Sequence, residues 1–326
     1  MDDKKLSIVI VNWNGANLLP RCLGSISRFV PDVSYEVVVV DNDSADNSVE
    51  WLHSDERKNL IPDENFRLIE SGGNLGFGRA NNLAFSKIES EFIFLLNPDA
   101  EVKEGTFAEL ISRMRKKSEI AAAAPRIIDQ NGVTRFSVGS DVPSPLSILV
   151  DGFKLSGILP KTMTRRWLYS QHWDYSIEDS VPVVSGASFL IRKDALDELG
   201  GFDEEFHMYG EDLEFSIRIT RRFGGILFVP TAVVEHAIGQ SSKKRWSEHQ
   251  QVELQELEFL RFQRKTCRKW RVIANALVKT LVLMALLLSN IRSPNLRKHF
   301  ALRLEFQMLQ IFSPRSLERH VERYLR

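Results

Sequence analysis

Two cysteines in 326 residues, Cys22 and Cys267, lie far apart and in no zinc-like spacing. That excludes a thiolate metal site and makes a reducing, cytoplasmic setting the default. No segment reaches the ~18–20 unbroken apolar residues of a spanning helix. The most apolar stretch, 272–288, is interrupted by Asn275, Lys279 and Thr280, leaving residues 281–288 as its clean run. An interfacial or buried helix is expected there rather than a transmembrane one. The opening MDDKKLSIVIVNW is too short in its apolar part and too acidic at its start for a signal peptide. The dinucleotide pattern G-x-G-x-x-G is also missing. The turn after the first apolar run, NWNGAN, holds one glycine, and Gly73, Gly76 and Gly78 follow the third run at the wrong spacing.

Net charge is absent as well, with 43 basic against 43 acidic side chains. The balance conceals an asymmetry. Residues 243–326 carry 18 Lys and Arg against 7 Asp and Glu, so the preceding residues carry 25 against 36. A basic tail points to an anionic partner. Nucleic acid is disfavoured, because the aromatics are not interleaved with the basic residues as stacking platforms would be. Anionic lipid is the better match, the alternative being a helical cap or homodimer interface. The organisation expected is residues 1–245 as one unit and 246–326 as a basic, amphipathic helical tail.

The first half alternates apolar runs with helical patterns. LSIVIV (6–11), YEVVVV (35–40), a short run at 66–69 and FIFLL (92–96) read as strands, with helices between them over about 18–29, from 49, and 80–88. That alternation predicts an α/β fold, a mostly parallel sheet with helices on both faces. A helix is expected over 106–117, and a short last strand over 226–229, closed by Pro230. Between 136 and 182 the pattern weakens, which suggests an inserted specificity loop.

Four polar clusters follow the four strands: Asn12 to Gly15, Asp41 to Ser44, the glycine-rich segment around Asn74, and Asn97-Pro98-Asp99. Proline ends the fourth strand, placing Asp99 at its carboxyl end. Parallel strands gather all four clusters on one edge, where open α/β sheets bind ligands. Each cluster alone also fits a simple turn. Four on one edge, two with carboxylates, favour a phosphate or nucleotide site.

Seven stretches in order carry a resemblance: SIVIVNWNG, VVVVDNDSADNS, GGNLGFGRANN, FLLNPDA, SGASFLIRKDAL, GGFDEEFHMYGEDLEFSIR and VPTAVVEHAIGQS. The chain resembles family 2 glycosyltransferases of the glycosyltransferase-A fold, and their bacterial rhamnosyltransferase-like branch in particular. The resemblance implies an inverting transfer from a nucleotide-sugar donor to a hydroxyl of a glycan or lipid-linked oligosaccharide. It also implies a divalent cation, Mg²⁺ or Mn²⁺. The donor expected is dTDP-rhamnose, with UDP-galactofuranose, UDP-glucose or UDP-GlcNAc as alternatives. A non-catalytic nucleotide-sugar-binding protein is the rival from another class. The resemblance assigns donor binding to Asn12, Asn14, Asp41, Asn42, Asn74, Arg79, Asn82, Asn97 and Gly186. It assigns the cation to Asp99 and His236, with Asn97 standing where the usual motif has an acid. It selects Asp212 as catalytic base and Glu211 as the residue orienting the acceptor. Both acids fall in the first turn of a helix, whose dipole is expected to keep the base ionised.

Overall fold

Strands β1 (Leu6–Asn12), β2 (Tyr35–Asp41) and β4 (Phe92–Leu96) are apolar on both faces and almost wholly buried, whereas β3 (Phe66–Glu70) alternates and lies at the sheet edge. The structure is a computed structural model. It describes residues 5–30, 33–135, 137–139, 142–155, 175–206, 208–237 and 247–289, with isolated positions as far as 308. β2 pairs in parallel with β1 and β3, and β1 in parallel with β4, so the carboxyl ends of these four strands share one edge as expected.

Beyond β4 the sheet becomes mixed. It continues through β10 (Ser188–Arg192), β6 (Ala122–Ile128) and β11 (Ile226–His236) to β5 (Ala100–Val102), with β8 (Asp179–Val181) also on β11. β10 runs antiparallel to both β4 and β6. It enters after the long excursion through β7 (Val138–Gly139) and β9 (Val183–Val184), not through a strand–helix–strand crossover, so nothing obliges it to run parallel. Residues 156–174, which hold Trp167, Tyr169 and Trp173 of the expected specificity loop, lie outside the described residues.

Alternation along the strands divides the core. Ile8, Ile10, Val37, Val39 and Phe94 pack on one face with α1 (Leu19–Arg28) and α5 (Thr106–Lys116). Val9, Val38, Val40, Ile93 and Leu95 pack on the other with α4 (Phe77–Phe85), α7 (Lys193–Leu199) and α8 (Glu211–Phe223). Helices α2 (Ser48–His53), α3 (Asp55–Leu60) and α6 (Pro145–Gly152) are shorter.

One sequence expectation fails usefully. Pro230 does not close the last strand: β11 continues to His236, with its register slipping between Val229 and Val233. A bulge tolerates the missing N–H. The continuation pairs His236 with Ala100, one residue from Asp99.

After a Ser247–Gln250 capping box, α9 (Glu248–Thr266) packs on α8 and turns into α10 (Lys269–Ser289). α10 is continuous over 21 residues, about 31 Å at 1.5 Å per residue. By length and composition it is long enough to cross a membrane, which counting the clean run alone missed. Its interrupting polar residues face the protein: the Asn275 amide donates to Gln263 Oε1 at 2.7 Å, and Lys279 pairs with Glu256.

Candidate active site

The loops after β1 and β2 are bound to each other by side chains. Asp41 is buried and accepts three hydrogen bonds, from Asn12 Nδ2 at 3.0 Å, Ser44 Oγ at 2.7 Å and Ser44 N at 3.0 Å. Asn14, at φ 52°, accepts from the backbone of Ala45 and Asp46. A Cβ on Gly15 would lie 2.3 Å from Asn12 Oδ1, so any other residue there would have to displace the Asn12 side chain. Ser44 also takes the Asn14 N–H at 2.9 Å, which makes it the hub of this network. Sequence reasoning missed it, because a serine in a turn carries no signal of its own.

Asn42 links β2 to the glycine-rich segment. Its Oδ1 accepts from Leu75 N at 2.9 Å and its Nδ2 donates to Asn74 Oδ1 at 3.2 Å. Two donor-site candidates on α4 make hydrogen bonds to protein. Asn82 brackets Phe202, accepting its N–H and donating to its carbonyl, both at 2.9 Å, and Arg79 donates to the Glu204 carbonyl at 3.2 Å. Residues 202–204 are thus tied to α4. From the other side Arg261 donates to the Glu205 carbonyl at 2.6 Å, and Lys265 pairs with Asp203 at 2.5 Å and Glu205 at 2.9 Å. Nothing in the amphipathic pattern of α9 singles out these two basic residues.

Asp99 and His236 meet as the β5–β11 register requires. His236 Nε2 lies 2.9 Å from Asp99 Oδ1 and 3.5 Å from Asn97 Nδ2, and Ala237 N donates to the Asp99 carbonyl at 3.0 Å. One carboxylate oxygen and one imidazole nitrogen at converging strand ends fit a divalent cation completed by phosphate oxygens and water. No cluster of three His, Cys, Asp or Glu is present among the described residues. Beneath this turn Cys22 donates its Sγ–H to the Asn97 carbonyl at 3.6 Å, and burial pushes its thiol far up.

The acids of α8 are joined to the same turn. Asn97 N donates to the Ala187 carbonyl at 2.9 Å, and the next residue back, Gly186, donates its N–H to Asp212 Oδ2 at 2.8 Å. A Cβ on Gly186 would sit 2.8 Å from Asp212 Cβ, so Gly186 cradles the acid. Asp212 Oδ1 accepts from Leu213 N at 2.9 Å. Glu211 fares differently: it is buried, and its Oε2 has no hydrogen-bond partner among the described residues.

Burial raises both carboxyls, against the expectation that the helix dipole holds them down. Glu211 rises well above the usual range, first by burial and then by the charge of Asp212. For Asp212 the Gly186 and Leu213 N–H groups oppose burial by stabilising the charged form. The environments separate the pair, with Asp212 the better held as a carboxylate and Glu211 the better held as a neutral acid.

The chain matches the Glycosyl transferase family 2 model over residues 7–200, and that of Glycosyl transferase family group 2 over residues 150–311. It is 26% identical over 257 residues to N-acetylglucosaminyl-diphospho-decaprenol L-rhamnosyltransferase of Mycobacterium tuberculosis, covering 75% of this chain and 80% of that one. It is also 26% identical over 225 residues to the low-salt glycan biosynthesis hexosyltransferase Agl10 of Haloferax volcanii, covering 68% of this chain. There it spans 62% of the relative's length, less than two thirds. Mannosyltransferase PcManGT from Pyrobaculum calidifontis, in complex with GDP-Man and Mn²⁺, superposes with a TM-score of 0.56 at 16% identity, over 98% of this chain and 84% of that one. GalNAc-T7 with UDP, GalNAc and Mn²⁺ superposes with a TM-score of 0.58 at 19% identity, over 81% of this chain and 48% of that one. With the family match spanning more than half of its length and the sheet shared with these solved structures, the chain belongs to glycosyl transferase family 2 and is a glycosyltransferase of the glycosyltransferase-A fold.

Proposed function

We propose that this enzyme moves a sugar, with inversion, from a nucleotide-sugar donor to a hydroxyl of a glycan or lipid-linked acceptor in cell-surface polysaccharide synthesis. The reading rests on one observation: the Asp99–His236 pair and Asp212 are joined through Asn97, Ala187 and Gly186 at the carboxyl edge of the sheet. Asp212 takes the proton of the acceptor hydroxyl as that oxygen bonds to the anomeric carbon. The bond from that carbon to the diphosphate breaks, and its electron pair leaves with the diphosphate. Asp99 and His236 would hold a divalent cation, which when bound offsets the charge gathering on the leaving group. Glu211, the neutral acid, orients the acceptor by donating a hydrogen bond. Asn12, Asn14, Asp41, Asn42 and Asn74 build the donor cradle, with Arg79 and Asn82 holding the loop that borders it.

The mycobacterial relative's name favours rhamnose, carried by dTDP-rhamnose, and a lipid-linked acceptor. An acceptor of that kind places the enzyme on the cytoplasmic face of a membrane. α10 suits this, for Trp270, Ile273, Leu277, Leu281, Met284 and Leu288 form one exposed apolar stripe while its polar residues face inward. Thermal unfolding with dTDP-rhamnose, UDP-glucose, UDP-GlcNAc and UDP-galactofuranose, each with Mg²⁺ or Mn²⁺, tests the donor. A ligand at a hundred times its Kd stabilises by about 2.7 kcal/mol. dTDP-rhamnose should raise the midpoint most, and only with the cation. A larger rise with a UDP-sugar reassigns the donor, and no rise with any of them removes the transferase reading. Flotation with anionic vesicles at low salt tests the tail, and a protein that stays unbound makes α10 a cap or dimer surface.

A further inference from the structure

The α9–α10 hairpin has two sides of opposite character. On one side polar rungs cross it: Gln263 with Asn275, Glu256 with Lys279, and the Lys279 ammonium 4.9 Å above the Phe259 ring. On the other, Leu260 and Cys267 of the α9 end face Val272, Ile273, Ala276 and Leu277 across a cleft of about 510 Å³. That volume suits a ligand of a few tens of heavy atoms. Among the described residues, Arg264 and Lys269, both exposed, complete the lining, which includes no acid. An apolar trough with two cations on its lip matches a hydrocarbon chain bearing an anionic group.

Continuity with the exposed face of α10 narrows the source. α9 packs on α8, where the Glu258 carbonyl lies 3.6 Å from where a Cβ on Gly210 would stand, beside Glu211. Leu260, two residues on, is turned by about 200° around the helix, so the cleft opens on the side of α9 that faces α10 and not on the side that meets the acids. Ile273 and Leu277 carry it onto the exposed stripe of α10. We infer that this cleft seats the hydrocarbon chain of the acceptor, an isoprenoid diphosphate, with Arg264 and Lys269 on its anionic group. The inference rests on the lipid-linked acceptor proposed above and adds its site.

The test uses the full chain and soluble probes: farnesyl diphosphate, inorganic diphosphate and dihexanoyl phosphatidylglycerol, with binding followed by calorimetry. Farnesyl diphosphate should bind and inorganic diphosphate far more weakly. Ala276→Phe, which fills the cleft, should weaken farnesyl diphosphate by about tenfold or more, the equivalent of two displaced methylenes. Arg264→Gln with Lys269→Gln should weaken it too, while donor-induced thermal stabilisation stays unchanged. Leu277→Ser, at an exposed position, is the second variant should Ala276→Phe not fold. Unchanged farnesyl diphosphate affinity in the folded variants overturns the proposal. Equal binding of inorganic diphosphate, or of the phospholipid with the same loss in the variants, also overturns it. So does a variant that only changes the oligomeric mass, since the cleft then belongs to a second copy. If no nucleotide sugar stabilises the protein yet farnesyl diphosphate binds and is lost as described, the transferase reading fails while the cleft's ligand stands.

Discussion

Asp41 and Glu211 are both buried acids of the candidate site, 3% and 5% exposed. Asp41 has three donors and closes a network between two loops. Glu211 has one oxygen with no partner among the described residues and an adjacent acid that adds to its strain. A saturated carboxylate is scaffolding, whereas a buried one left short is held at the expense of stability and is the place to look for chemistry. Asp212 stands between them, with one N–H on each oxygen and lone pairs remaining.

The largest expected effect tests that intermediate position. Asp212→Asn preserves shape but cannot take the proton, so turnover should fall roughly 10²–10⁴-fold. Donor binding should barely move. Near-normal turnover in Asp212→Asn beside an inactive Glu211→Gln would reverse the two assignments.

Asp99→Ala comes next. Loss of the carboxylate should lower turnover by roughly 10²–10³-fold, in the range of removing one electrostatic contact to a leaving group. It should also abolish the metal dependence of nucleotide binding, with the fold intact by circular dichroism. Calorimetry that finds the metal-dependent affinity unchanged takes Asp99 out of the site. Gly186→Ala reaches the base indirectly, by pushing Asp212 off its cradle. A misplacement near 1 Å is worth about 10² in rate. Its signature is a fall in kcat with the donor KM unchanged, and an equal fall in donor affinity would make Gly186 a donor contact instead.

Asp41→Ala should act on stability. It leaves Ser44 N, Ser44 Oγ and Asn12 Nδ2 without their acceptor, for a loss of about 2–4 kcal/mol by denaturant unfolding. A variant as stable as the native protein but unable to bind nucleotide would mean that Asp41 contacts the donor more than it braces the loops.

What the sequence disclosed follows from the range of each interaction. Val37 to Val40 and Phe92 to Leu96 announce buried strands because burial on both faces is a local pattern, and the polar turns after them announce the ligand edge. The pairing of His236 with Asp99 depends on a register slip beyond Pro230, set across 137 residues of chain. No local pattern encodes that. Asn275 and Lys279 broke the apolar run of α10 on paper, yet they point at Gln263 and Glu256 and leave the outer face apolar. The helix dipole suggested ionised acids, and burial, a property of the assembled fold, outweighed it at Glu211.

The smallest effect sharpens the opposition most. Burial, and then the charge of Asp212, lift the folded-state value of Glu211 above its ordinary 4.5. As pH rises through 4.5 the unfolded chain loses that proton while the folded chain keeps it. Folding is then increasingly disfavoured until the raised folded-state value is passed. Glutamine does not titrate. Glu211→Gln should therefore unfold at nearly the native temperature below pH 4.5 and at a higher one at pH 7, with the gap opening between. A stability difference that stays constant from acid to neutral pH would mean that ionisation of Glu211 opposes folding no more than its shape does. The contrast with Asp41 would then be one of hydrogen bonding alone.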